Sequence, residues 1–302
     1  MHPPLKVTMS ELIVRKLEID LSQGFGRHWL GGDAYRTALF NALSMSFPMG
    51  EQMFIDSLRA IPAGQIVDPL LAADIRDFIG QEASHRFVHA QYNAHLARQG
   101  FEYKRGPVLA RRIAQVSTLP VFVRLAITSA LEHYTAMLAD GLLRHASWLD
   151  GAEPHMRTLW EWHAAEETEH KAVAFDAYRA IRGGGVHCYL PRLFTYVHVS
   201  VLFWLDTFIQ TTHTLQRDGT LWRAATWRSA LSTWFGRAGL AWHFLKPSLA
   251  YLRPSFHPWQ HANAKLAEQW LARNDASLRP VSTTAPAAAY APDIPKDRAV
   301  MS

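Results

Sequence analysis

Residues 82–85 of the chain read Glu-Ala-Ser-His, and residues 167–170 read Glu-Thr-Glu-His. A lone glutamate precedes each string, Glu51 before the first and Glu132 before the second. Residues three apart on a helix share a face, so each string places a carboxylate beside an imidazole. A lone Glu followed by Glu-x-x-His, twice over, is the ligand order of di-metal carboxylate sites in four-helix bundles. The series therefore predicts an all-α, ferritin-like four-helix bundle.

Helix-forming segments surround all four positions. The predicted helices cover about residues 34–60, 69–99, 119–145 and 154–181. Pro48 should end or kink the first of them, because proline lacks the amide that a helix interior needs. Asp68 can cap the second, Pro69 suits its first position, and Gly100 should stop it. Two or three further helices should follow through about residue 272, which adds C-terminal helices to the bundle.

Composition divides the chain into regions. Seven of the eleven tryptophans lie after residue 200, and the last residues are rich in Pro, Ala, Ser and Thr. Leu17, Ile19 and Leu21 alternate with acidic residues, which is typical of a short strand. We expect an N-terminal arm at 1–33, the di-metal bundle at 34–182, aromatic-rich helices packed on it at 183–274, and a disordered tail at 275–302.

Length, charge and cysteine content exclude several classes of protein. With 302 residues, 49% hydrophobic, the chain can form one large domain or two small ones. The single cysteine, Cys188, excludes a disulfide framework and a cysteine-based metal site. The net charge is +5, and there is no dense basic run with interleaved aromatics, so we expect no nucleic-acid partner. Residues 1–21 show no secretory pattern, which predicts a cytoplasmic location.

The most apolar stretch of the sequence is residues 190–209. It contains Arg192, His198 and Asp206, which would be costly in lipid. We therefore expect this helix to pack on the bundle and to line a channel for an apolar substrate. Peripheral contact with the inner face of the membrane is the alternative, because tryptophan and arginine are interspersed over residues 222–242.

The glutamates and histidines of the series call for a counter-charge. Four buried carboxylates and two imidazoles would carry a charge near −4, or −2 with both histidines protonated, and burying unpaired charge is expensive. Buried salt bridges are the plain alternative, but two divalent cations cancel the carboxylates. Ligands without sulfur suit Fe, Mn and, less specifically, Zn. We predict two Fe ions, with Mn/Fe or another divalent pair as the alternative.

Each predicted ligand has a place in this scheme. Glu51 with His85 would bind one metal, Glu132 with His170 would bind the other, and Glu82 and Glu167 would bridge the two.

Neighbouring residues leave alternatives open. His163 lies one turn before the second Glu-x-x-His string, so it is either a third histidine ligand or a partner that holds a ligand in place. His89 lies one turn after the first string and should be a supporting or core residue. Glu166 and Glu169 should be solvated or support a ligand. His133 points about 100° away from its neighbour on the helix and should play no part.

Four strings together resemble a bacterial family of predicted metal-dependent hydrolases. They are Phe47-Pro-Met-Gly-Glu51, Phe78-Ile-Gly-Gln-Glu82-Ala-Ser-His85, Leu131-Glu132-His133-Tyr134-Thr135 and residues 162–176. The resemblance covers about residues 14–259 and implies metal-dependent hydrolysis. The site is also similar to di-iron aromatic-amine N-oxygenases, which carry an extra histidine where His163 stands. The chain departs from those enzymes elsewhere, so their substrate is not carried over.

The ligand set favours one function among three. A carboxylate-rich site with open positions is typical of di-iron oxidases and oxygenases, which would use O₂, an external electron donor and here a small apolar substrate. The second hypothesis is a metal-dependent hydrolase in which a bridging water attacks an ester, amide or phosphoester. The third is a metal-binding or membrane-surface protein without turnover.

Overall fold

The computed structural model describes residues 12–281, which form an almost entirely helical protein. The helices are α1 (Ala34–Arg59), α2 (Pro69–Arg98), α3 (Gly106–Ser117), α4 (Val121–Arg144), α5 (Pro154–His170), α6 (Val173–Arg182), α7 (Val186–Arg217), α8 (Ala224–Phe235), α9 (Leu240–Tyr251) and α10 (Ala264–Arg273). Two short strands, β1 (Arg15–Leu17) and β2 (Leu278–Pro280), pair antiparallel. The predicted all-α fold class is confirmed.

Helices α1, α2 and α4 form the bundle together with the α5–α6 pair. Helices α1 and α2 are antiparallel, because Tyr92 bonds Asn41 while Arg86 bonds Gln52 further along α1. Helix α4 packs on α5 and α6, and it also contacts α1, while α2 contacts both α5 and α6. Four helical columns therefore surround one interior, and α7 covers the outer side of α1 and α4.

The sequence predicted that Pro48 would end or kink the first helix, but the helix continues through it. Helix α1 runs without a break from residue 34 to residue 59. A proline deprives the carbonyl four residues earlier of its helical donor, which here is the carbonyl of Ser44. The Nδ2 of Asn93 on α2 donates to that carbonyl at 2.8 Å. A neighbouring helix thus replaces the missing bond, and Glu51 lies mid-helix rather than in the first turn after a break.

The boundaries of α2 agree with prediction, whereas the fourth predicted helix is divided. Asp68 accepts a hydrogen bond from the amide of Leu70, and Gly100 has a φ of 83° just past the end of the helix. The fourth predicted helix ends at His170 and resumes at Val173 as α6. At this junction the Lys171 ammonium donates to the carbonyl of residue 261 at 2.7 Å, which ties the turn to the C-terminal segment.

Three further features differ from the sequence-based expectations. Helix α3 was not predicted, and four helices rather than two or three follow the bundle within the described chain. The predicted disordered tail is wrong for residues 275–281, because a 3-10 turn over 275–277 leads into β2, which pairs with β1. The arm is likewise held in place over its described part, since Ser84 donates to the carbonyl of Arg15 at 2.9 Å. Residues 1–11 and 282–302 lie outside the described residues.

A polar layer crosses the bundle between two apolar clusters. On each helical column the predicted ligands lie between a residue of one cluster and a residue of the other. The flanking pairs are Phe47 and Phe54 on α1, Phe78 and Val88 on α2, Leu125 and Tyr134 on α4, and Trp162 and Val173 on α5 and α6. The apolar side chains exclude water from both sides of the layer, so charges within it interact strongly.

Helix α7 has one buried side and one exposed apolar side. Its exposed apolar residues are spaced three or four apart and are 46–73% exposed: Val186, Leu190, Phe194, Val197, Val201, Leu205 and Phe208. Arg192 is buried and donates to the carbonyl of Arg253 at 2.6 Å, and Asp206 is paired with two arginines. Within residues 12–281, α7 is the one helix long and apolar enough to cross a membrane by length and composition.

Candidate metal centre

The polar layer brings all seven predicted ligands together and adds His89. Four overlapping groups have ligand atoms within 4.8 Å of one another: Glu51, Glu82 and His85; Glu82, Glu132, Glu167 and His170; His85, His163 and Glu167; and Glu51, His89 and His163. All of these side chains are buried. The convergence follows from helix periodicity, because each column turns the same face inward at the level of the layer.

The overlap of the groups matches a two-metal arrangement. Glu82 belongs both to the group of Glu51 and to the group of Glu132. Glu167 likewise belongs to one group with His85 and to another with His170. A carboxylate within reach of two ligand groups can bridge two ions, so the positions of these two glutamates fit the bridging role expected from the sequence.

The Nε2 of His170 lies at the centre of one group. It is 3.1 Å from Glu82 Oε1, 3.4 Å from Glu167 Oε2 and 3.5 Å from Glu132 Oε2. On the other side of the layer, His85 Nδ1 is 3.5 Å from Glu167 Oε1. Imidazole and carboxylate donors at these separations can shift by a few tenths of an ångström to surround a cation.

Unpartnered polar atoms provide the test of whether cations fit. Nine buried side-chain atoms of the layer have no hydrogen-bond partner: both carboxylate oxygens of Glu51, Glu82 and Glu132, together with Glu167 Oε2, His85 Nδ1 and His170 Nε2. Leaving a buried polar atom unsatisfied is costly, and native proteins keep few of them. Here they are clustered, acidic and face one another, which is the donor set that a pair of divalent cations satisfies.

The outer nitrogens of both histidines are held by hydrogen bonds. His85 Nε2 lies 3.0 Å from Glu166 Oε2, and His170 Nδ1 lies 2.9 Å from Gln81 Oε1. The Gln81 amide nitrogen donates to Glu169 at 3.0 Å, which leaves its oxygen to accept from His170. These bonds fix the ring orientation and direct one free nitrogen of each histidine into the layer.

Arg15 of β1 joins both of these contacts from outside the bundle. Its guanidinium lies 2.7 Å from Glu169 Oε2 and 3.3 Å from Glu166 Oε1. Glu166 in turn contacts His85, and Glu169 contacts Gln81. The sequence allowed Glu166 and Glu169 to be solvated, but both are buried, so the supporting alternative holds and the solvated one is wrong.

His163 takes part in the layer, whereas His133 lies outside it. His163 Nε2 is 2.9 Å from Glu167 Oε1, and its Nδ1 is 2.7 Å from His89 Nε2. His89 is bonded in turn to the Ser44 hydroxyl at 2.9 Å, so it orients His163. His133 instead bonds the carbonyl of residue 247 at 3.1 Å, on the side of α9.

The buried carboxylates differ in their affinity for protons. Burial raises the pKa of Glu51 well above its ordinary value, and the charge of Glu82 raises it further. Burial and the charge of Glu167 do the same for Glu132. Burial acts to raise the pKa of Glu167 too, but the positive charge of His170 and the contacts with His163 and His85 together outweigh burial and hold this pKa well below its ordinary range. In the absence of a cation, protons therefore neutralise part of the layer.

The histidines of the layer also differ in their pKa values. Burial opposes the charge of His85, but its hydrogen bond to Glu166, its close contact with Glu167 and the negative charge of Glu82 together outweigh that effect and raise its pKa to about 10. Burial, together with the nearby charge of His85, lowers the pKa of His163 to about 4. His85 is thus protonated and His163 neutral near pH 7, and a cation must displace a proton to bind His85.

Comparison with known families agrees with the geometry. A family model matches residues 13–262 of the 302-residue chain. The chain belongs to the family described as predicted metal-dependent hydrolase. No curated protein and no solved structure matches the chain. The resemblance inferred from the sequence strings is thereby confirmed, and its bounds differ by only a few residues at each end.

Sequence reasoning missed two residues of the site, Arg15 and Gln81. Gln81 precedes the first Glu-x-x-His string, so its position next to a ligand was the available signal. Arg15 lies in a short strand far from either string, and charge alone gives no sign that an arginine is buried. Its role depends on β1 packing against α2, which is a tertiary contact.

Proposed function

We propose that this chain is a metal-dependent enzyme that holds two divalent cations in the polar layer. The observation that carries the proposal is the cluster of nine unpartnered buried atoms, all on acidic or imidazole side chains. Glu82 and Glu167 would bridge the cations, Glu51 and His85 would hold one, and Glu132 and His170 would hold the other. His163 would complete the side of the layer that contains Glu51.

We propose activation of O₂ as the chemistry of this site on the basis of its ligand types. Carboxylate and imidazole donors without sulfur suit iron, which supplies the electrons for reducing O₂. A small cavity of about 20 Å³ reaches Glu167 and His163, and its other walls include Phe47, Leu138 and Trp160. This volume accommodates one molecule about the size of water, and mostly apolar walls suit O₂ better than water. We propose oxidation or oxygenation of a small apolar substrate, with an external electron donor.

Hydrolysis is the second candidate, and family membership favours it over oxidation. Two cations 3.5–4 Å apart can activate a bridging water for attack on an ester, amide or phosphoester. In that reaction Glu82 and Glu167 would again bridge the cations.

Metal analysis followed by two assays distinguishes these reactions. Protein purified from its own host should contain two metal ions per chain. After removal of metal, Fe(II) should support O₂ consumption at an oxygen electrode, and Glu132→Gln should abolish it. Glu268→Gln is the matched control, because Glu268 is an exposed glutamate on α10.

Each outcome of these assays points to one function. Turnover of generic esters or phosphoesters with Zn(II), in the absence of O₂, would replace oxidation by hydrolysis. Two bound metals with neither activity would favour a metal-binding protein without turnover. A chain that folds but binds no divalent cation would refute the centre itself.

A further inference from the structure

A second, larger cavity lies on the other side of α1 and α4 from the polar layer. It has a volume of about 490 Å³, within the range of pockets that hold small-molecule ligands. Most of its wall comes from α3, from α7 and from α4, which includes Leu131. Met53 of α1 also contributes. Its apolar lining includes Leu109, Ile113, Val116, Val123, Ile127 and Leu202. The cavity is therefore a mostly apolar space next to the helices that carry Glu51 and Glu132.

Helix α3 indicates that this cavity takes an apolar occupant. An amphipathic helix normally buries its apolar face against protein. No residue of α3 is buried, although Leu109, Ile113 and Val116 lie on one face of it. These three side chains face the cavity instead. A void of this size with apolar walls forfeits packing contacts, and such cavities bind apolar molecules rather than ordered water.

One end of the cavity carries an excess of positive charge. Arg112 and Asp206 both line it, and they form an ion pair. Arg105 pairs with the same carboxylate at 2.5 Å. Two guanidinium groups thus share one acidic group, which leaves one positive charge without a counter-charge. Arg112 retains free N–H donors, and its side chain is 29% exposed, so it can reach an anionic group at the mouth.

We propose that this cavity binds an amphiphile with a single long apolar chain and an anionic head group, either carboxylate or phosphate. The chain would lie between α3 and α7, and the head would lie at Arg112. Phe194 and His198 of α7 line the cavity and are also exposed, so the cavity also opens along the exposed apolar side of α7. The binding does not depend on metal or on the reaction proposed above.

Equilibrium dialysis with defined amphiphiles tests the proposal. Dodecanoate, dodecyl phosphate and dodecanol are offered below their aggregation concentrations to metal-free and metal-loaded protein. Both anions should bind more tightly than the alcohol, by about tenfold for a charge-assisted bond at a partly exposed arginine. Affinity should rise about fourfold per added CH₂ from octanoate until the cavity is full. Comparing the affinities of dodecanoate and dodecyl phosphate shows whether the site prefers a carboxylate or a phosphate head group.

Two pairs of variants locate the site. Arg112→Gln should remove most of the preference for anions and leave dodecanol binding unchanged. Arg111→Gln is the matched control, because Arg111 is exposed and does not line the cavity. Ile113→Trp fills the cavity and should weaken all three ligands at least tenfold. Leu249→Trp adds the same side chain at an exposed position of α9 and should have no effect.

The results decide the proposal whether or not every variant folds. Circular dichroism first establishes which variants are folded. Dodecanoate binding that is unaffected in folded Ile113→Trp would place the ligand elsewhere and overturn the proposal. If Ile113→Trp does not fold, the Arg112 and Arg111 variants decide, since equal loss or no loss in both contradicts a head-group site at Arg112. Because the assay measures binding without turnover, its failure leaves the metal centre untouched.

Discussion

Replacing Arg15 with glutamine should weaken both the fold and the metal centre. The guanidinium is held between Glu166 and Glu169 and is almost removed from solvent, with 11% of its side chain exposed. Glutamine keeps one hydrogen-bond donor but removes the charge. The variant removes the guanidinium that lies between two buried carboxylates. Glu166 bonds the proposed ligand His85 directly, and Glu169 bonds Gln81, which orients the proposed ligand His170.

The structure sets the size of the two effects. Removing one partner of a buried ion pair costs about 3–5 kcal/mol, and the lower value applies because glutamine can still donate to one carboxylate. A loss of about 3 kcal/mol lowers the melting temperature by roughly 5 °C in a chain of this size, because the entropy of unfolding grows with chain length. Loss of the groups that orient metal-binding histidines lowers metal affinity by about 10–100-fold.

The assay compares Arg15→Gln with Lys16→Gln. Lys16 is the next residue of β1, carries the same charge and is exposed, so its variant controls for net charge and for the strand. Thermal unfolding is followed with and without Mn(II), and Mn(II) affinity is measured by titration. Arg15→Lys should be intermediate, because an ammonium keeps the charge but cannot span both carboxylates as a guanidinium does.

Two results would refute this reasoning. If Arg15→Gln and Lys16→Gln unfold at the same temperature, the buried ion pair does not stabilise the fold. If Arg15→Gln lowers stability but binds Mn(II) as the control does, Arg15 supports the packing of β1 and does not act on the histidines. Adding Glu169→Gln should recover part of the lost stability, because it removes one of the unpaired buried charges.

Three further outcomes are expected. His85 has a pKa of about 10 in the folded chain and an ordinary value of 6.5, so its stabilising contribution is fully present below pH 6.5 and is lost as the pH rises towards 10. Metal-free protein should therefore melt at a lower temperature at pH 9 than at pH 6.5, while Mn(II) affinity rises over the same interval as the proton leaves. His163→Ala should lower metal occupancy or alter the optical spectrum of the Fe-loaded protein, whereas His133→Ala should change neither, and no effect of His163→Ala would make it a structural residue. In fractionated cells the protein should be released without detergent, because α7 packs on α1 and α4, Arg192 donates to a backbone carbonyl and Asp206 forms ion pairs within the protein. Protein that resists both high-salt and carbonate washes would contradict this.

Much of the candidate site could be predicted because its pattern is local. Glu82 and His85 are one helical turn apart, as are Glu167 and His170, so periodicity alone places each pair on one face. Caps and stops such as Asp68 and Gly100 then fix the ends of α2. These features depend on residues that are close in sequence, which is why the inward face could be read without the structure.

The features that were missed depend on contacts between distant segments. Pro48 is accommodated only because Asn93 of α2 donates to the carbonyl that proline leaves free. Residues 278–280 are ordered by pairing with β1, and Arg15 reaches the polar layer from that same strand. None of these partners lies within 40 residues of the position it affects. Local propensity therefore predicted a break at Pro48, disorder from residue 275 and an N-terminal arm without a role in the site.

Arg15 of the N-terminal arm contributes to the charge balance of the polar layer. Six buried carboxylates, the four predicted ligands with Glu166 and Glu169, face one guanidinium from Arg15, which leaves five negative charges. Protons on His85 and His170 reduce that excess to three, and the raised pKa values of Glu51 and Glu132 allow two further protons to reduce it to one. Two divalent cations with ionised carboxylates and neutral histidines also reduce it to one, whereas a single cation leaves three. Two cations therefore replace four protons without adding net charge to the buried layer, so the affinity for the cation pair should rise as the pH rises.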